Sequence, residues 1–296
     1  MGAGAVGSYY GALLARAGHA VSLVTRGAHL SALRDQGVVV VREADGSLWH
    51  AEVDPMRRPA GTPDLAIITT KSQHTRDAAR ALAPVMSAGT LVLSLQNGVE
   101  NVARAEELLG AGRLLAGQAF VGVWIDEPGT VTHGAEGRVS IGDPAGGITA
   151  RARRLHSLLD GAWDVSLAED IIHDQWRKLL WNAGFNALCA ITGRTAGEVL
   201  SQPESAAVVR AAMEELVALA ATHQITLTGD DVDEMAAPNP ALADYHPSTA
   251  RDLAAGKTLE RDALCGFIAR EGRRQRVPTP VNDTLDALLG LREGAA

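Results

Sequence analysis

The chain has 296 residues, which is long for a single domain, and its hydrophobic fraction of 46% and charged fraction of 21% are typical of a soluble globular protein. Its formal net charge of -8 gives no overall attraction to nucleic acid or to an anionic membrane surface. Any anionic ligand must therefore be bound by a local cluster of positive groups.

Cysteine usage and apolar patterning exclude several further classes. Cys189 and Cys265 lie far apart and form no metal-type or C-x-x-C spacing, so we expect two reduced, buried thiols and no bound metal. No run of about 20 apolar residues could span a membrane, and no basic segment followed by an apolar one opens the chain. We expect a cytoplasmic protein, and the sequence leaves open whether it forms a homodimer.

The first half of the chain alternates short apolar runs with helix-like segments. Three runs rich in Val, Ile, Leu and Thr predict buried strands of a parallel sheet: Ala20–Thr25, Leu65–Thr70 and Leu91–Leu95. A helix pattern precedes the first of them and ends at Gly18. This alternation predicts a doubly wound α/β domain.

The alternation continues to residue 167 and then stops. Two longer strands, a helix and a last short strand are predicted at Leu114–Ile125, Gly129–Gly142, Thr149–Leu159 and Trp163–Leu167. Beyond them only helices are expected, one of which runs to about Thr222 from a capping box formed by Ser201 and Glu204. We predict a Rossmann-type, doubly wound parallel-sheet domain over residues 1–167 and an all-helical domain over residues 168–296.

A glycine-rich loop opens the chain. Gly2, Ala3, Gly4, Ala5, Val6 and Gly7 form the pattern G-x-G-x-x-G at the start of a helix. Glycines there allow a tight turn and close approach of a pyrophosphate, and the helix N-terminus offers unpaired N–H groups to the anion. A glycine-rich turn can also be only a turn. The helix and strand that follow at the right distance favour dinucleotide binding.

One element that this motif requires is absent. The loop should follow a buried strand, yet only Met1 precedes Gly2. Such a strand would lie at the centre of the sheet, so its loss would expose flanking edges. We expect that the natural start lies several residues upstream, with Met1 internal. The alternative is a real truncation, which would give an unstable or inactive product.

The end of the second strand predicts the choice of cofactor. NAD-binding sites of this type usually carry Asp or Glu there to hold the ribose hydroxyls. Here Thr25 and Arg26 follow the strand, and the guanidinium of Arg26 can bind a 2′-phosphate. Arg26 could instead be a solvated loop residue. The glycine loop just upstream favours the phosphate role and hence NADP(H) over NAD(H).

Two further strand ends carry polar residues where ligands of a parallel sheet bind. Lys71 follows the strand Leu65–Thr70, and Asn97 follows Leu91–Leu95 and Gln96. The lysine could contact a cofactor phosphate or ribose, and the asparagine could orient a nicotinamide. Asn97-Gly98 is also a common turn pair, so for Asn97 the two interpretations are balanced.

A polar stripe runs along one predicted helix of the second domain. Lys178, Asn182 and Asn186 are spaced by four residues and so line one face, among apolar and aromatic neighbours. Partial burial would lower the lysine pKa toward a range useful for proton transfer. The alternative is a helix edge with an exposed lysine. Near the C-terminus, Ser248 and Glu260 fit a capped helix with a charged surface as well as they fit a ligand site.

Together these segments resemble the ketopantoate reductase family over nearly the whole chain. The resemblance is carried in order by GAGAVG at 2–7, RG at 26–27, TTKSQ at 69–73, LQNGVEN at 95–101, PGTVTHG at 128–134, WRKLLWNAGFNAL at 176–188, PSTARDLAAGKTLERDAL at 247–264 and VPTPVN at 277–282. It implies a Rossmann-type domain followed by a helical one, with the active site in the cleft between them. It also implies NADPH-dependent reduction of 2-dehydropantoate to pantoate, a step of pantothenate biosynthesis.

The resemblance implies a role for each matching residue. The loop Gly2–Gly7 would hold the pyrophosphate, Arg26 the 2′-phosphate, and Lys71 and Asn97 the cofactor, with Asn97 also near the substrate. Lys178 would donate the proton to the keto oxygen. Asn182, Asn186 and Ser248 would bind the substrate's hydroxyl and carboxylate, and Glu260 would contact the cofactor and position the reacting groups.

Two positions depart from the family pattern. Ala196 stands where some members carry a substrate-contacting asparagine, and Arg261 follows Glu260 where a small or aliphatic residue is more usual. Both leave the exact substrate open. The alternatives are the same chemistry on another small 2-keto acid, a related hydroxyacid dehydrogenase, and a catalytically inactive NADP-binding protein.

Overall fold

The computed structural model describes residues 1–294, for Ala241 the backbone only. The chain divides into two compact units. The first unit comprises Met1–Gln96 and Glu100–Ile172, and the second comprises Asn97–Val99 and His173–Ala296. The last two residues of the predicted helical domain, 295 and 296, lie outside the described residues.

The first unit combines a sheet with helices. Its helices are α1 (Ala5–Arg16), α2 (Gly27–Gln36), α3 (Thr75–Leu82), α4 (Asn101–Leu109) and α5 (Ala150–Leu159). Its strands are β1 (Ser22–Val24), β2 (Val38–Arg42), β3 (Leu48–Glu52), β4 (Asp54–Met56), β5 (Leu65–Ile68), β6 (Leu91–Ser94), β7 (Leu114–Glu127), β8 (Thr130–Gly142) and β9 (Asp164–Leu167).

Most strands lie in one mixed sheet with the order β3-β2-β8-β7-β6-β5, and β9 pairs with β8. The pairs β5–β6, β6–β7, β2–β8 and β8–β9 are parallel, whereas β2–β3 and the hairpin β7–β8 are antiparallel. The predicted α/β class with a mostly parallel sheet is confirmed. The prediction missed β2, β3 and β4, and with them the antiparallel pair β2–β3, whereas the two longer predicted strands form the hairpin β7–β8.

The strand β1 is separated from this sheet and pairs only with β4 among the described residues. Residues 1–3 lie between β1 and β5. The terminal amine of Met1 donates to the carbonyl of Ile67 (2.5 Å), Thr69 N–H donates to the Met1 carbonyl (2.9 Å), and the N–H groups of Gly2 and Ala3 both donate to Val24. This is the pairing of a parallel strand, and burial lowers the pKa of the terminal amine to about 5.

A cavity of about 460 Å³ continues this line upstream of Met1. It is lined on one side by residues 19–24 and on the other by residues 63–67, with Tyr10, Leu14 and Leu158 also contributing. The cavity therefore lies between β1 and β5, next to residues 1–3.

The second unit is helical throughout its described part. Its helices are α6 (Ile171–Thr192, whose first two residues belong to the first unit), α7 (Ala196–Ser201), α8 (Pro203–Thr222), α9 (Gly229–Met235), α10 (Ser248–Ala254), α11 (Cys265–Gln275) and α12 (Pro280–Gly294). No helix in residues 1–294 has the length and apolar content needed to cross a membrane.

Helix α6 is the central element of this unit. It packs so closely on α8 that a Cβ at Gly184 would lie 2.5 Å from Met213 Cε and 2.8 Å from Val209 Cγ1. The predicted end of α8 at Thr222 is confirmed, but its predicted capping box is wrong. Gln202 precedes α8 without a side-chain cap, and the capping box of this region is Thr195 with Glu198, at the start of α7.

Candidate active site

The glycine loop leads from the first residues of the chain, which lie beside strand β5, into helix α1. Gly2 has φ +89°, and a Cβ there would lie 2.4 Å from Thr70 Cγ2 and 2.6 Å from the Thr70 nitrogen. A Cβ at Gly7 would lie 2.3 Å from Thr69 Oγ1. Glycine at these two positions is thus required by the fold, because the loop and the start of α1 pack directly on the residues that follow β5.

Gly4 has no such reason to be glycine. Its φ of -84° is open to any residue, and a Cβ there would meet nothing within 4 Å. Gly4 is also the N-cap residue of α1, and no side chain caps this helix start. Open space directly before uncapped N–H groups fits a pyrophosphate, since glycine leaves the backbone accessible to it.

Two of the predicted cofactor residues follow strand ends of the first unit. Arg26 is exposed and forms the N-cap of α2, two residues after β1. Lys71 is half-buried at the start of the turn after β5. The structure adds a neighbour that the sequence argument did not name: Nη2 of Arg26 lies 3.4 Å from Nε2 of His74. His74 directly follows the segment TTKSQ at 69–73.

A buried polar network holds the ends of β5 and β6 together. Gln96 Nε2 donates to the Thr70 carbonyl (2.9 Å) and to Thr75 Oγ1 (2.8 Å), and Thr75 Oγ1 donates to Asn101 Oδ1 (2.9 Å). Gln96, Thr75 and Asn101 are all at most 6% exposed. Because buried hydrogen bonds are costly to break, this network fixes the turn that carries Lys71 and the strand end that precedes Asn97. None of these three residues was predicted as a site residue from the sequence.

The predicted catalytic and substrate residues all belong to the second unit, and two of the catalytic ones, Asn97 and Glu260, are in direct contact. Asn97 Nδ2 donates to Glu260 Oε2 at 3.4 Å. The next residue, Gly98, has φ +89°, and a Cβ there would lie 2.9 Å from the Ala263 carbonyl oxygen. Glycine at 98 therefore allows the segment 97–99 to pack against the turn containing Glu260, which brings two residues far apart in sequence together.

Lys178 lies on α6 with its charge set by two opposing effects. Burial lowers the pKa of the ammonium to about 8, and the Glu260 carboxylate acts in the opposite direction. The neighbouring residues Trp176, Leu179 and Leu180 of the same helix are buried, each at most 4% exposed. An amine with this pKa is a competent acid near neutral pH. The alternative of a fully exposed lysine at a helix edge is wrong.

The two asparagines of the stripe are on the same helix and are buried. Asn182 is 7% exposed and Asn186 is 3% exposed. The side-chain oxygen of Asn186 has no hydrogen-bond donor among the described residues. A buried carbonyl oxygen without a donor is costly, and a ligand hydroxyl would satisfy it.

Three positions remain separate from this cluster. Ser248 is exposed as the first residue of α10, after the N-cap residue Pro247, and it has no contact with the other site residues in the hydrogen bonds described. Ala196 is fully buried at the start of α7. Arg261 binds Asp286 of α12 (3.0 Å), and its guanidinium packs on Gly290, so its charge is engaged by that helix.

Comparison with known proteins accounts for both units. A family model described as ketopantoate reductase PanE/ApbA matches residues 1–146, and the model of its C-terminal part matches residues 170–293. A 2-dehydropantoate 2-reductase of Archaeoglobus fulgidus is 32% identical over 96% of this chain and 94% of its own length.

Solved structures agree with this result. A PanE/ApbA family ketopantoate reductase from Ralstonia eutropha is 34% identical, with a TM-score of 0.89 over 100% of this chain and 97% of that one. A D-mandelate dehydrogenase with NADH and anilino(oxo)acetate superimposes with a TM-score of 0.93 over 99% of this chain and 97% of that one. Its identity is 24%, so this second likeness shows the fold alone.

Proposed function

The chain belongs to the ketopantoate reductase family, and from this premise we propose that it reduces 2-dehydropantoate to pantoate with NADPH. The reaction converts a keto group to a secondary alcohol, which requires a hydride at carbon and a proton at oxygen. Reduced nicotinamide, when bound, supplies the hydride. The chain must then supply the proton, bind the substrate and orient both reactants.

The observation that carries this proposal is the environment of Lys178. An ammonium with a pKa of about 8 is mostly protonated at neutral pH and can lose its proton to a more basic alkoxide. In the proposed reaction Nζ of Lys178 donates its proton to the keto oxygen. Before transfer, the ammonium stabilises the negative charge developing on that oxygen, so it acts more strongly in the transition state than on the neutral ketone.

Glu260 and Asn97 keep this acid in the required state. The Glu260 carboxylate favours the charged form of Lys178 and accepts a hydrogen bond from the Asn97 side-chain amide. Glu260 therefore connects the proton donor to the segment after β6. Asn182, Asn186 and Ser248 are proposed to bind the hydroxyl and carboxylate of the substrate. The Asn186 side-chain oxygen has no donor among the described residues, which supports a ligand that donates a hydrogen bond from a hydroxyl group, as pantoate can.

The first unit is proposed to bind the cofactor. The N–H groups at the start of α1 would receive the pyrophosphate over Gly4, Lys71 would contact the cofactor's phosphate or ribose, and Arg26 the 2′-phosphate. NADPH is favoured over NADH because Arg26 stands where an NAD site would carry a carboxylate. The residue boundaries 1–167 and 168–296 for the cofactor and substrate domains belong to this proposal.

The experiment is NADPH oxidation with a panel of 2-keto acids. We expect the highest kcat/KM with 2-dehydropantoate and a clearly lower value with 2-ketoisovalerate, which lacks the hydroxyl and would leave buried polar groups unpaired. A higher value for another keto acid would change the substrate but not the chemistry. NADPH binding without turnover of any keto acid would favour the catalytically inactive alternative.

Lys178→Ala tests the proton donor. Because general acids contribute about 10²- to 10⁴-fold, we expect kcat to fall by that range while NADPH affinity changes little. Lys257→Ala is a matched control, since this lysine is exposed in the same unit. Loss of cofactor binding in Lys178→Ala, with kcat retained, would assign the lysine a different role.

A further inference from the structure

A single histidine joins three elements of the first unit. His29 lies in the first turn of α2, just after the N-cap residue Arg26. Its Nε2 is 3.0 Å from Ser8 Oγ in α1, and its Nδ1 is 3.0 Å from the backbone nitrogen of Gly129, in the turn between β7 and β8. Ser8 is fully buried near the start of α1, where Gly4 is the N-cap residue. His29 therefore connects the starts of two helices.

The backbone determines which nitrogen of this ring carries a proton. A backbone N–H can only donate, so Nδ1 of His29 accepts from Gly129 and is unprotonated. The proton of the neutral ring then lies on Nε2 and is donated to the hydroxyl oxygen of Ser8. Burial lowers the pKa of His29, which favours this neutral form. The ring is thus held in one orientation from both sides.

The turn that supplies Gly129 is attached both to α2 and to the sheet. Gly129 has φ +90°, and a Cβ there would lie 2.8 Å from Gln36 Oε1 and 3.2 Å from Ala32 Cβ. Its carbonyl accepts from the N–H of Val40 in β2 at 3.1 Å. Glycine thus allows the turn to pack on α2, and the sheet supports the turn to which the His29 ring is bonded.

The two helix starts that His29 connects are those proposed to bind the two phosphate groups of NADPH. The pyrophosphate is assigned to the N–H groups at the start of α1, over Gly4, and the 2′-phosphate to Arg26 at the start of α2. Both groups are attached to the same ribose, so their separation in the ligand varies little. A ligand that engages two subsites gains from both only when the spacing of the subsites matches its own.

We propose that His29 is a positioning residue for the cofactor, which sets the spacing between the pyrophosphate subsite on α1 and the 2′-phosphate subsite on α2 through its hydrogen bond to Ser8. In this role His29 touches neither phosphate. Loss of the bond lets the two helix starts shift relative to each other. This inference rests on the proposed NADPH function and adds a residue that favours NADPH over NADH, because NADH has no group for the second subsite.

Ser8→Ala tests the bond with little change to the helix, since alanine is a good helix former. We expect NADPH to bind about threefold to tenfold more weakly, as for the loss of one hydrogen bond, and NADH to change by less than about twofold. The KM for NADPH should rise while kcat at saturation is retained, because the change leaves Lys178 in the second unit untouched.

Ligands with one phosphate group of the pair separate spacing from damage to a subsite. ADP carries the pyrophosphate without the 2′-phosphate, and adenosine 2′-monophosphate carries the 2′-phosphate without the pyrophosphate. Each engages one subsite only, so each should bind Ser8→Ala as tightly as it binds the native chain. The readout is competition of each nucleotide against NADPH, with thermal unfolding as a check that the variant is folded.

A double-mutant cycle tests whether His29 and Ser8 act together. His29→Leu should weaken NADPH binding, and adding Ser8→Ala to it should cause no further loss, because both changes remove the same bond. His50→Leu is the matched control, since it replaces an exposed histidine of β3 in the same unit, and it should bind NADPH as the native chain does.

The outcomes distinguish this inference from the proposed function. Native NADPH affinity in Ser8→Ala overturns the inference and leaves the proposed function standing. Equal losses for NADPH, NADH and the single-phosphate nucleotides also overturn it, because the bond would then shape one subsite rather than the spacing of two. Additive losses in the double variant exclude the hydrogen bond as the cause. No preference for NADPH over NADH in the native chain overturns the inference and the cofactor assignment together.

Discussion

Replacing Glu260 by glutamine should move the pH profile of reduction without removing the proton donor. The carboxylate favours the charged form of Lys178, whose pKa is lowered to about 8 by burial. Glutamine keeps an oxygen that can accept the Asn97 amide at the same place. It removes only the negative charge, so the pKa of Lys178 should fall further.

The size of the effect follows from the titration of one group. A nearby opposite charge usually changes a pKa by about one unit or more, so we expect the activity of Glu260→Gln to fall with rising pH about one pH unit earlier than that of the native chain. At about pH 7.5 the protonated fraction would drop from roughly three quarters to roughly one quarter, a loss of about threefold in kcat/KM. At about pH 6 the fractions would differ by only about a tenth, and at about pH 9 by about ninefold.

The assay is kcat/KM for NADPH-dependent reduction from about pH 6 to about pH 10, which reports the pKa of the free enzyme's essential acid. In the native chain, activity should fall as pH rises through about 8, because the acid must be protonated to donate. Glu234→Gln is the matched control. It removes a carboxylate paired with Arg177, the neighbour of Lys178 on α6, and should leave the profile in place.

This reasoning would be refuted if Glu260→Gln lost activity uniformly at every pH and its activity still fell at the same alkaline pH as that of the native chain. The carboxylate would then act by holding the cofactor or the segment 97–99 rather than by tuning the acid. A shift of the alkaline fall in activity to higher pH would contradict the sign of the electrostatic effect.

Two further predictions concern the first unit. Gly4→Ala should keep native thermal stability, because its Cβ meets nothing, yet weaken NADPH binding about tenfold or more; Gly7→Ala, whose Cβ would lie 2.3 Å from Thr69 Oγ1, should lose about 1–3 kcal/mol of stability. Native NADPH affinity in Gly4→Ala would exclude the pyrophosphate from this loop. Five β-branched apolar residues placed ahead of Met1 should fill the cavity between β1 and β5, bury apolar side chains worth about 2 kcal/mol each, and raise Tm by about 10 °C after ordering costs. A Gly-Ser extension of equal length should not.

Strands with both faces buried were the part of the fold that the sequence could predict. The observed β5 and β6 lie within the predicted runs, and β6 is buried at all four positions, because a parallel strand covered on both faces is a continuous apolar run. The strands β3 and β4 were missed because they carry exposed polar residues, and only their pairing, with β2 and β1 respectively, makes them strands. The run Val38–Val41 has the same apolar pattern as β5 and could have been found.

The candidate site divides in the same way. The stripe Lys178, Asn182 and Asn186 was accessible to prediction because helical periodicity relates residues four apart. The contact between Asn97 and Glu260 was not, since nothing local relates two residues so distant in sequence. His74 was missed for the same reason: its partner Arg26 follows a different strand, and only the folding of the first unit brings the two connections together.

The acid strength of Lys178 is therefore set by two parts of the chain that can vary independently. Burial of the ammonium depends on the position of α6, which the buried side chains Trp176, Leu179 and Leu180 fix in its unit. The compensating charge comes from Glu260, in a turn outside any long helix. A change in the turn can thus adjust the pKa of the proton donor without moving it, whereas a change in α6 would alter position and pKa together. Substitutions that tune the pH optimum should consequently concentrate around residue 260, and those in the apolar face of α6 should cost stability first.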